Sequence, residues 1–338
     1  MMETKIYRSD DIVAIKHCGE ILKNGGIVAF PTETVYGLGC SAYNKDAAKK
    51  VFAAKGRPCD NPLIVHVSDK ADIEKIAHVS ELSKKLAEAF MPGPFTMILP
   101  KKDIIPDEIT AGLDTVAIRF PESKEAIDLI QAAGVPVAAP SANLSGRPSP
   151  TTSNHVIEDL SGRVDAIICG NDCKVGVEST VVAVKEDRVV LCRPGKVTPD
   201  DIENIGITVE IPENLNRTVT GDERVISPGM KYKHYAPKGK LTLLEGEGAL
   251  DKLIENQKKG YGIICFDEDL ACLEGPLTVS LGKKDDSERQ AERLFSALRF
   301  FDEKGTEFIF SRVPPKSGVG LAVYNRILKA ASSRVEKV

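Results

Sequence analysis

The chain has 338 residues, 42% of them hydrophobic and 28% charged, with a formal charge of −4. That length accommodates two ordinary domains with separate cores, and the composition is that of a soluble globular protein, which excludes a disordered or fibrous chain. The mild acidity argues against a global polyanion-binding surface and leaves room only for local basic sites.

The apolar runs are strand-sized and no charge-flanked apolar segment opens the chain, so neither a membrane span nor a signal peptide is expected and the expected location is cytoplasmic. Eight cysteines are scattered without a C-x-x-C pair, which favours reduced core thiols over zinc ligands.

In chain order, the apolar run from Gly26 to Phe30 reads as a buried strand that Pro31 ends, because proline cannot donate to a neighbouring strand. The stretch Thr32 to Gly39 reads as a polar loop at a strand end, where open α/β sheets keep their ligands. A helix from Asn44 closes with Lys55-Gly56-Arg57-Pro58, and a strand from Leu63 to Val67 carries His66. Asp69 and Ser80 are expected N-caps of two further helices.

Strands are expected at Phe95 to Leu99 and Thr115 to Phe120, with the period of two placing Arg119 away from the Val116 and Ile118 core face. A helix from Glu122 to Ala133 and a strand from Val135 to Ala139 lead into the loop Pro140 to Pro150. Strands at Asp165 to Cys169, Val177 to Val184 and Arg188 to Arg193 complete this half, and Thr198-Pro199-Asp200 opens a short helix.

From Glu210 to Lys240 periodicity is lost, and the segment Ser227 to Pro237 is too rich in aromatic and cationic residues for a plain spacer. A second α/β run follows, with strands at Leu241 to Leu244, Tyr261 to Phe266, Leu277 to Leu281 and Glu307 to Phe310, and helices from Ala249, Asp286 and Val319. The expected division is residues 1–205, a linker over 206–240, and residues 241–338.

No G-x-x-x-x-G-K-[ST] phosphate loop is present. Gly37-Leu38-Gly39-Cys40-Ser41-Ala42 matches G-x-G-x-x-A, but six residues separate it from the strand and the helix waits for Asn44, which argues against a dinucleotide site. Taken singly, the polar residues have ordinary explanations. Lys55 reads as a surface cation at a helix C-terminus, His66 as a satisfied core or edge residue, Ser141 to Pro150 as a connector, and Ser179-Thr180 as part of an edge strand. Arg57 and Asn61 are more constrained, because each precedes a proline that holds it extended.

As an ordered series, PTETVYGLG, KGRP followed by NPL and His66, AIRFP, APSAN, GVESTVV, RPG and SPGMKYKHYAP resemble the threonylcarbamoyl-AMP synthase family, built on a YrdC-like domain. The resemblance covers Gly25 to about Gly195 with the linker motif, and the C-terminal run is similar to the added domain of the longer members. It implies a twisted open mixed α/β sheet with a concave active site, then a smaller Rossmann-like α/β domain, with the linker folding across the site as a lid.

It also implies a nucleotidyltransferase that condenses L-threonine, bicarbonate and ATP, with Mg2+, to threonylcarbamoyl-AMP and pyrophosphate, the product passing to a tRNA threonylcarbamoyl transferase. Direct tRNA binding is expected to be weak or absent. Carried over by position, Lys55 and Arg57 are the catalytic cations, and Thr34, His66, Arg119, Ala139 and Ser179 hold threonine. Lys55, Arg57, Asn61, Thr115, Ser141, Asn143, Ser149, Arg193, His234 and Tyr235 hold ATP. No protein metal ligand is expected.

The residue types suit that chemistry. Bringing a carbamate against a phosphate sets two anions roughly 4 Å apart at a cost of about 4 kcal/mol at an effective dielectric near ~20, so cations must converge. Two rivals are a non-catalytic double-stranded RNA-binding module, disfavoured by the acidity, and a carbamoyltransferase of the hydrogenase-maturation type, which would carry C-x-x-C pairs.

Overall fold

The computed structural model describes residues 3–213, 215 and 235–338. Among these, one unit comprises 3–145, 149–213 and 215, and the other 146–148 and 235–338.

The strands of the first unit are Lys5–Arg8 (β1), Val28–Phe30 (β2), Gly37–Ser41 (β3), Ile64–His66 (β4), Phe95–Pro100 (β5), Thr115–Arg119 (β6), Val137–Ala139 (β7), Ala166–Cys169 (β8), Thr180–Val184 (β9), Arg188–Arg193 (β10) and Thr208–Glu210 (β11). They form one mixed sheet in the order β1-β8-β2-β3-β7-β4-β6-β5-β9-β10-β11. Its helices are Ile12–Lys23 (α1), Lys45–Lys55 (α2), Ala71–Ile76 (α3), Glu81–Phe90 (α4), Asp107–Thr110 (α5), Lys124–Ala133 (α6), Ser153–Leu160 (α7) and Pro199–Asn204 (α8).

Local chemistry explains the boundaries. The Asn44 side chain accepts from the backbone of Asp46 and Ala47 to start α2, and Gly56 at φ 62° ends it in the left-handed conformation glycine adopts without strain. Thr198 and Asp201 form a capping box behind Pro199. Ser80 caps α4 as expected, whereas α3 is preceded by Lys70 with no side-chain cap, and Asp69 accepts from Ala71 at 2.9 Å one residue earlier.

The largest departure from the sequence reading lies between Pro31 and Ser41. Gly37–Ser41 is a strand paired antiparallel to β2, so the loop shrinks to the residues between them. The G-x-G-x-x-A stretch therefore sits in a strand, not at a helix N-terminus, and lacks the geometry of a dinucleotide cradle. A second departure concerns Ser179 and Thr180. Strand β9 lies between β5 and β10, inside the sheet, and begins only at Thr180.

Helices α1 and α6 cover one part of the sheet through a core that includes Leu22, Phe30, Leu129, Val137 and Ile168. They approach closely because Gly19 has no side chain, and a Cβ there would lie 2.5 Å from the Ala132 backbone.

The second unit has strands Lys240–Glu245 (β12), Gly262–Cys265 (β13), Thr278–Ser280 (β14), Phe308–Arg312 (β15) and Val335–Lys337 (β16), with helices Ala249–Lys258 (α9), Ser287–Glu303 (α10) and Gly320–Ala330 (α11). All pairings are parallel, in the order β14-β13-β15-β12-β16, a Rossmann-like arrangement of strands joined by helices. On α10 the helical spacing of Ala291, Leu294, Phe295, Leu298 and Phe301 becomes a fully buried stripe.

Candidate active site

Strand register builds the centre of the first unit. Ile64 of β4 lies opposite Ala117 of β6, Ala117 opposite Ile98 of β5, and Ile98 opposite Ala183 of β9. Two residues along each strand, His66 lies opposite Arg119, Arg119 opposite Thr96, and Thr96 opposite Val181. Opposed residues share a face, as do residues two apart, so an apolar row gives way to a polar row on one side of the sheet. The other side is filled by Val65, Met97, Ile118 and Val182, all fully buried. Arg119 is thus off the Val116 and Ile118 face, as the period of two requires, yet it is only 4% exposed because both faces of β6 are covered.

Arg119 is the hub of this row. Its Nη1 donates to Thr34 Oγ1 at 2.8 Å, its Nη2 to Glu33 Oε1 at 2.6 Å, and its Nε to the Gly93 carbonyl at 3.4 Å. A guanidinium has five N–H donors, so one remains on each terminal nitrogen. Thr34 is fully buried and also contacts Thr32 Oγ1 at 2.9 Å. The Glu33 carboxyl lies below its ordinary range: burial opposes ionisation, but the charge and hydrogen bond of Arg119 outweigh it, helped by the backbone amides of Glu33 and Glu122.

His66 is buried with its pKa pushed down to about 3, first by burial and then by the neighbouring Arg119 charge. Its Nδ1 lies 3.1 Å from the Ile64 carbonyl. A carbonyl only accepts, so the tautomer protonated on Nδ1 satisfies this contact and leaves a lone pair on Nε2.

A second group surrounds α2. Lys55 is not a surface cation: it is 3% exposed, and its Nζ donates to the carbonyls of Ser141 and of Asn143. Ser141 Oγ donates to Asn143 Oδ1 at 2.5 Å, and Asn143 Nδ2 to the Leu144 carbonyl at 2.8 Å, so the loop after β7 is fixed internally and tied to the end of α2. Arg57 Nη2 reaches the carbonyls of Asn61 and Pro62 at 3.3 and 3.4 Å. Asn61 is fully buried, yet neither its Oδ1 nor its Nδ2 has a hydrogen-bond partner.

A third group lies beside the polar row. Ser179 Oγ is 2.7 Å from Thr96 Oγ1 and accepts from Arg193 Nη2 at 3.1 Å, while Arg193 Nε donates to the Ser179 carbonyl at 3.0 Å. A β-bulge produces this contact: Leu191 pairs with Val182 but Arg193 pairs with Val181, which leaves Cys192 as the extra residue and re-aims Arg193. Gly195 belongs to the same packing, since a Cβ there would lie 2.3 Å from the Thr180 nitrogen. Ser149 is fully buried and donates to Glu178 Oε1 at 2.5 Å.

The remaining expected residues are placed differently. Ala139 ends β7 opposite Ile64, in the apolar row. Thr115 starts β6, four residues from Arg119 or about 13 Å along the strand, and the apolar row separates them. Tyr235 belongs to the second unit, where its ring lies 5.3 Å from Phe295 and the Arg326 guanidinium sits 5.8 Å from it. His234 lies outside the described residues.

Sequence reasoning passed over Glu33, Thr96 and Glu178. The PTET and GVEST stretches held the two acids in plain view, but only tertiary contacts with Arg119 and Ser149 give them a role.

Comparison with known proteins then decides the family. A family model described as "Telomere recombination" (Sua5_yciO_yrdC) matches residues 20–195, and one described as "Threonylcarbamoyl-AMP synthase, C-terminal domain" matches 197–332. The threonylcarbamoyl-AMP synthase of Bacillus subtilis is 44% identical over 95% of this chain and 94% of its own length. The chain belongs to the threonylcarbamoyl-AMP synthase family.

The Pyrococcus abyssi family member is 41% identical over 96% of both chains. A crystal structure of P. abyssi Sua5 complexed with L-threonine matches with a TM-score of 0.90 at 37% identity, covering 100% of each chain. Escherichia coli YciO matches with a TM-score of 0.52 at 24% identity over 58% of this chain and 96% of its own, a likeness of fold alone.

Proposed function

We propose that this synthase-family chain condenses L-threonine, bicarbonate and ATP into threonylcarbamoyl-AMP and pyrophosphate, acting as a nucleotidyltransferase for tRNA modification. The observation that carries the reading is Arg119, a buried guanidinium with one N–H left on each terminal nitrogen beside the Thr34 hydroxyl. That fork suits a single carboxylate held by two parallel bonds. The threonine-bound relative supports the same choice of amino acid.

In this reading threonine's carboxylate docks on Arg119, and its hydroxyl donates to the neutral His66 ring, with Thr34, Ser179 and the Ala139 carbonyl completing the pocket. Once the docked ammonium has released a proton to solvent, the neutral amine adds to bicarbonate with loss of water, or to its dehydrated form with loss of a second proton, and a carbamate results. A carbamate oxygen then attacks the α-phosphate of ATP and expels pyrophosphate.

Arg57 and Arg193 offset the charge that two approaching anions create, and Lys55 fixes the Ser141–Asn143 loop against the nucleotide. The bare amide of Asn61 supports nucleotide binding, because a buried amide with neither end bonded costs about 1–3 kcal/mol until a ligand meets it. Thr115, Ser149, His234 and Tyr235 are proposed for the rest of ATP.

Among the described residues, no group of three His, Cys, Asp or Glu side chains is spaced to hold a metal ion. Mg2+ is proposed to arrive with ATP on its phosphates, where it would supply charge neutralisation. No helix among the described residues is long and apolar enough to cross a membrane. We propose a cytoplasmic enzyme whose product passes to a tRNA threonylcarbamoyl transferase.

The test is pyrophosphate release from ATP, which should require both threonine and bicarbonate. Release indifferent to either would overturn the proposal.

A further inference from the structure

We propose that Glu33 is the receptor for the ammonium group of the incoming amino acid, through its Oε2 oxygen. This rests on the synthase reading above and adds to it a residue that recognises the amine, where Arg119 recognises the acid.

The Glu33 side chain is 9% exposed, and its Oε1 is paired with Arg119 at 2.6 Å. Its Oε2 is buried and makes no hydrogen bond, although the backbone amides of Glu33 and Glu122 act on the carboxylate from their side and help to keep it ionised. An ionised carboxylate offers about four acceptor sites, so half of this one is unspent in a place water hardly reaches. The charge does not vanish by protonation, because Arg119 holds the carboxyl below its ordinary range. A buried anion with one free oxygen needs a donor, and a cationic donor suits it best.

The neighbours specify that donor. Arg119 keeps two N–H groups for an anion, and Glu33 beside it keeps one oxygen for a cation. A zwitterionic α-amino acid carries the same two charges on a single carbon in the complementary order. A plain carboxylic acid would satisfy Arg119 and leave Oε2 bare, and an amine without a carboxylate would do the reverse. His66 does not compete for the ammonium as an anion would, since the buried ring is neutral with Nδ1 turned to the Ile64 carbonyl. The pair Glu33–Arg119 therefore selects for the zwitterion, and Thr34 and His66 read its side chain.

Two ligands separate this role from a structural one. Calorimetry on the full chain would compare L-threonine with 3-hydroxybutanoate, which is threonine without its amino group. Wild type should prefer threonine by at least roughly 10-fold. Glu33→Gln can keep its amide oxygen on Arg119 while turning an NH2 toward the ligand, so threonine binding should weaken about 10- to 100-fold and 3-hydroxybutanoate binding should stay unchanged.

Equal weakening of both ligands would mean that Glu33 only orients Arg119, and would overturn the proposal. If Glu33→Gln does not fold, Glu33→Asp retains the charge one methylene back: a reduced preference for threonine supports the role, and an unchanged preference overturns it. Wild-type protein that binds no threonine at all would instead defeat the synthase reading itself, and this inference with it.

Discussion

The two units keep polar residues at the carboxyl ends of their strands in opposite conditions. In the second unit several of these groups are paired with one another: Arg312 with Asp269 at 2.5 Å, Ser280 Oγ donating to Asp267 at 2.5 Å, and Lys316 with Glu245. In the first unit Arg119 has two N–H groups left and Glu33 one oxygen, while Asn61, ahead of the amino end of β4, keeps an entire amide. Both places are positions where α/β folds hold ligands. What separates them is where the unspent capacity lies: Glu33 Oε2 is a buried, charged oxygen beside a buried guanidinium, whereas the charged pairs at these ends of the second unit have at least one partly exposed partner.

The sharpest way to break this contrast is to empty the hub. Arg119→Ala leaves Glu33 buried without its partner, so denaturant unfolding should register a loss of about 3–5 kcal/mol. Threonine-dependent pyrophosphate release should fall by at least roughly 100-fold in the same protein.

Arg57→Ala should reduce adenylate formation by a similar factor of about 100 with the melting transition in place, both read on the same protein. Near-normal pyrophosphate release from that variant would remove Arg57 from the mechanism.

Asn61→Leu tests unspent capacity directly. It should raise stability by about 1 kcal/mol and weaken ATP, read as KM, by about 10-fold. A variant that loses stability and keeps its KM would show the amide to be structural.

The second unit provides the control. Asp269→Asn should cost about 1–3 kcal/mol of stability through the Arg312 pair and leave the KM for ATP and threonine within about 2-fold.

A last test, which needs no ligand, is in pH. His66 has a folded pKa near 3 against an ordinary 6.5, so the unfolded chain binds a proton there that the folded chain refuses. Its contribution is complete above about pH 6.5 and is lost as pH falls toward 3, at no more than about 1.4 kcal/mol per pH unit. His66→Gln should flatten the stability profile between those limits, and an unchanged slope would place the acid sensitivity elsewhere.

Much of this architecture was legible in the sequence, and the exceptions have physical causes. Asn44, Gly56, Ser80 and Thr198 mark helix ends because capping is local chemistry. The alternation in Thr115–Arg119 correctly set Arg119 apart from Val116 and Ile118, but alternation cannot say whether the second face is covered. Gly37–Ser41 read as loop because two glycines and small residues carry little strand signal, while its pairing with β2 is dictated by the hairpin. The edge strand β1, exposed at three of its four residues, has no apolar run to announce it.

The candidate site residues come from an ordered series of motifs, whereas the Glu33–Arg119 pair, 86 residues apart in sequence, is a tertiary fact. The same holds for Lys55, whose place at a helix end suggested a solvated cation and whose ammonium is in fact committed to the loop after β7.

The polar row has a consequence for how the molecule comes into being. His66, Arg119 and Thr96 line up only when β4, β6 and β5 are in register, and Ser179 joins them only when β9 docks parallel to β5 from far along the chain. Such non-local pairings close late, after the entropy of long loops has been overcome. A ribosome-bound chain that ends before Arg193 holds most of the residues of the site and none of its finished geometry. The polar row and its Ser179–Arg193 contact should therefore form in one step as β9 and β10 enter the sheet.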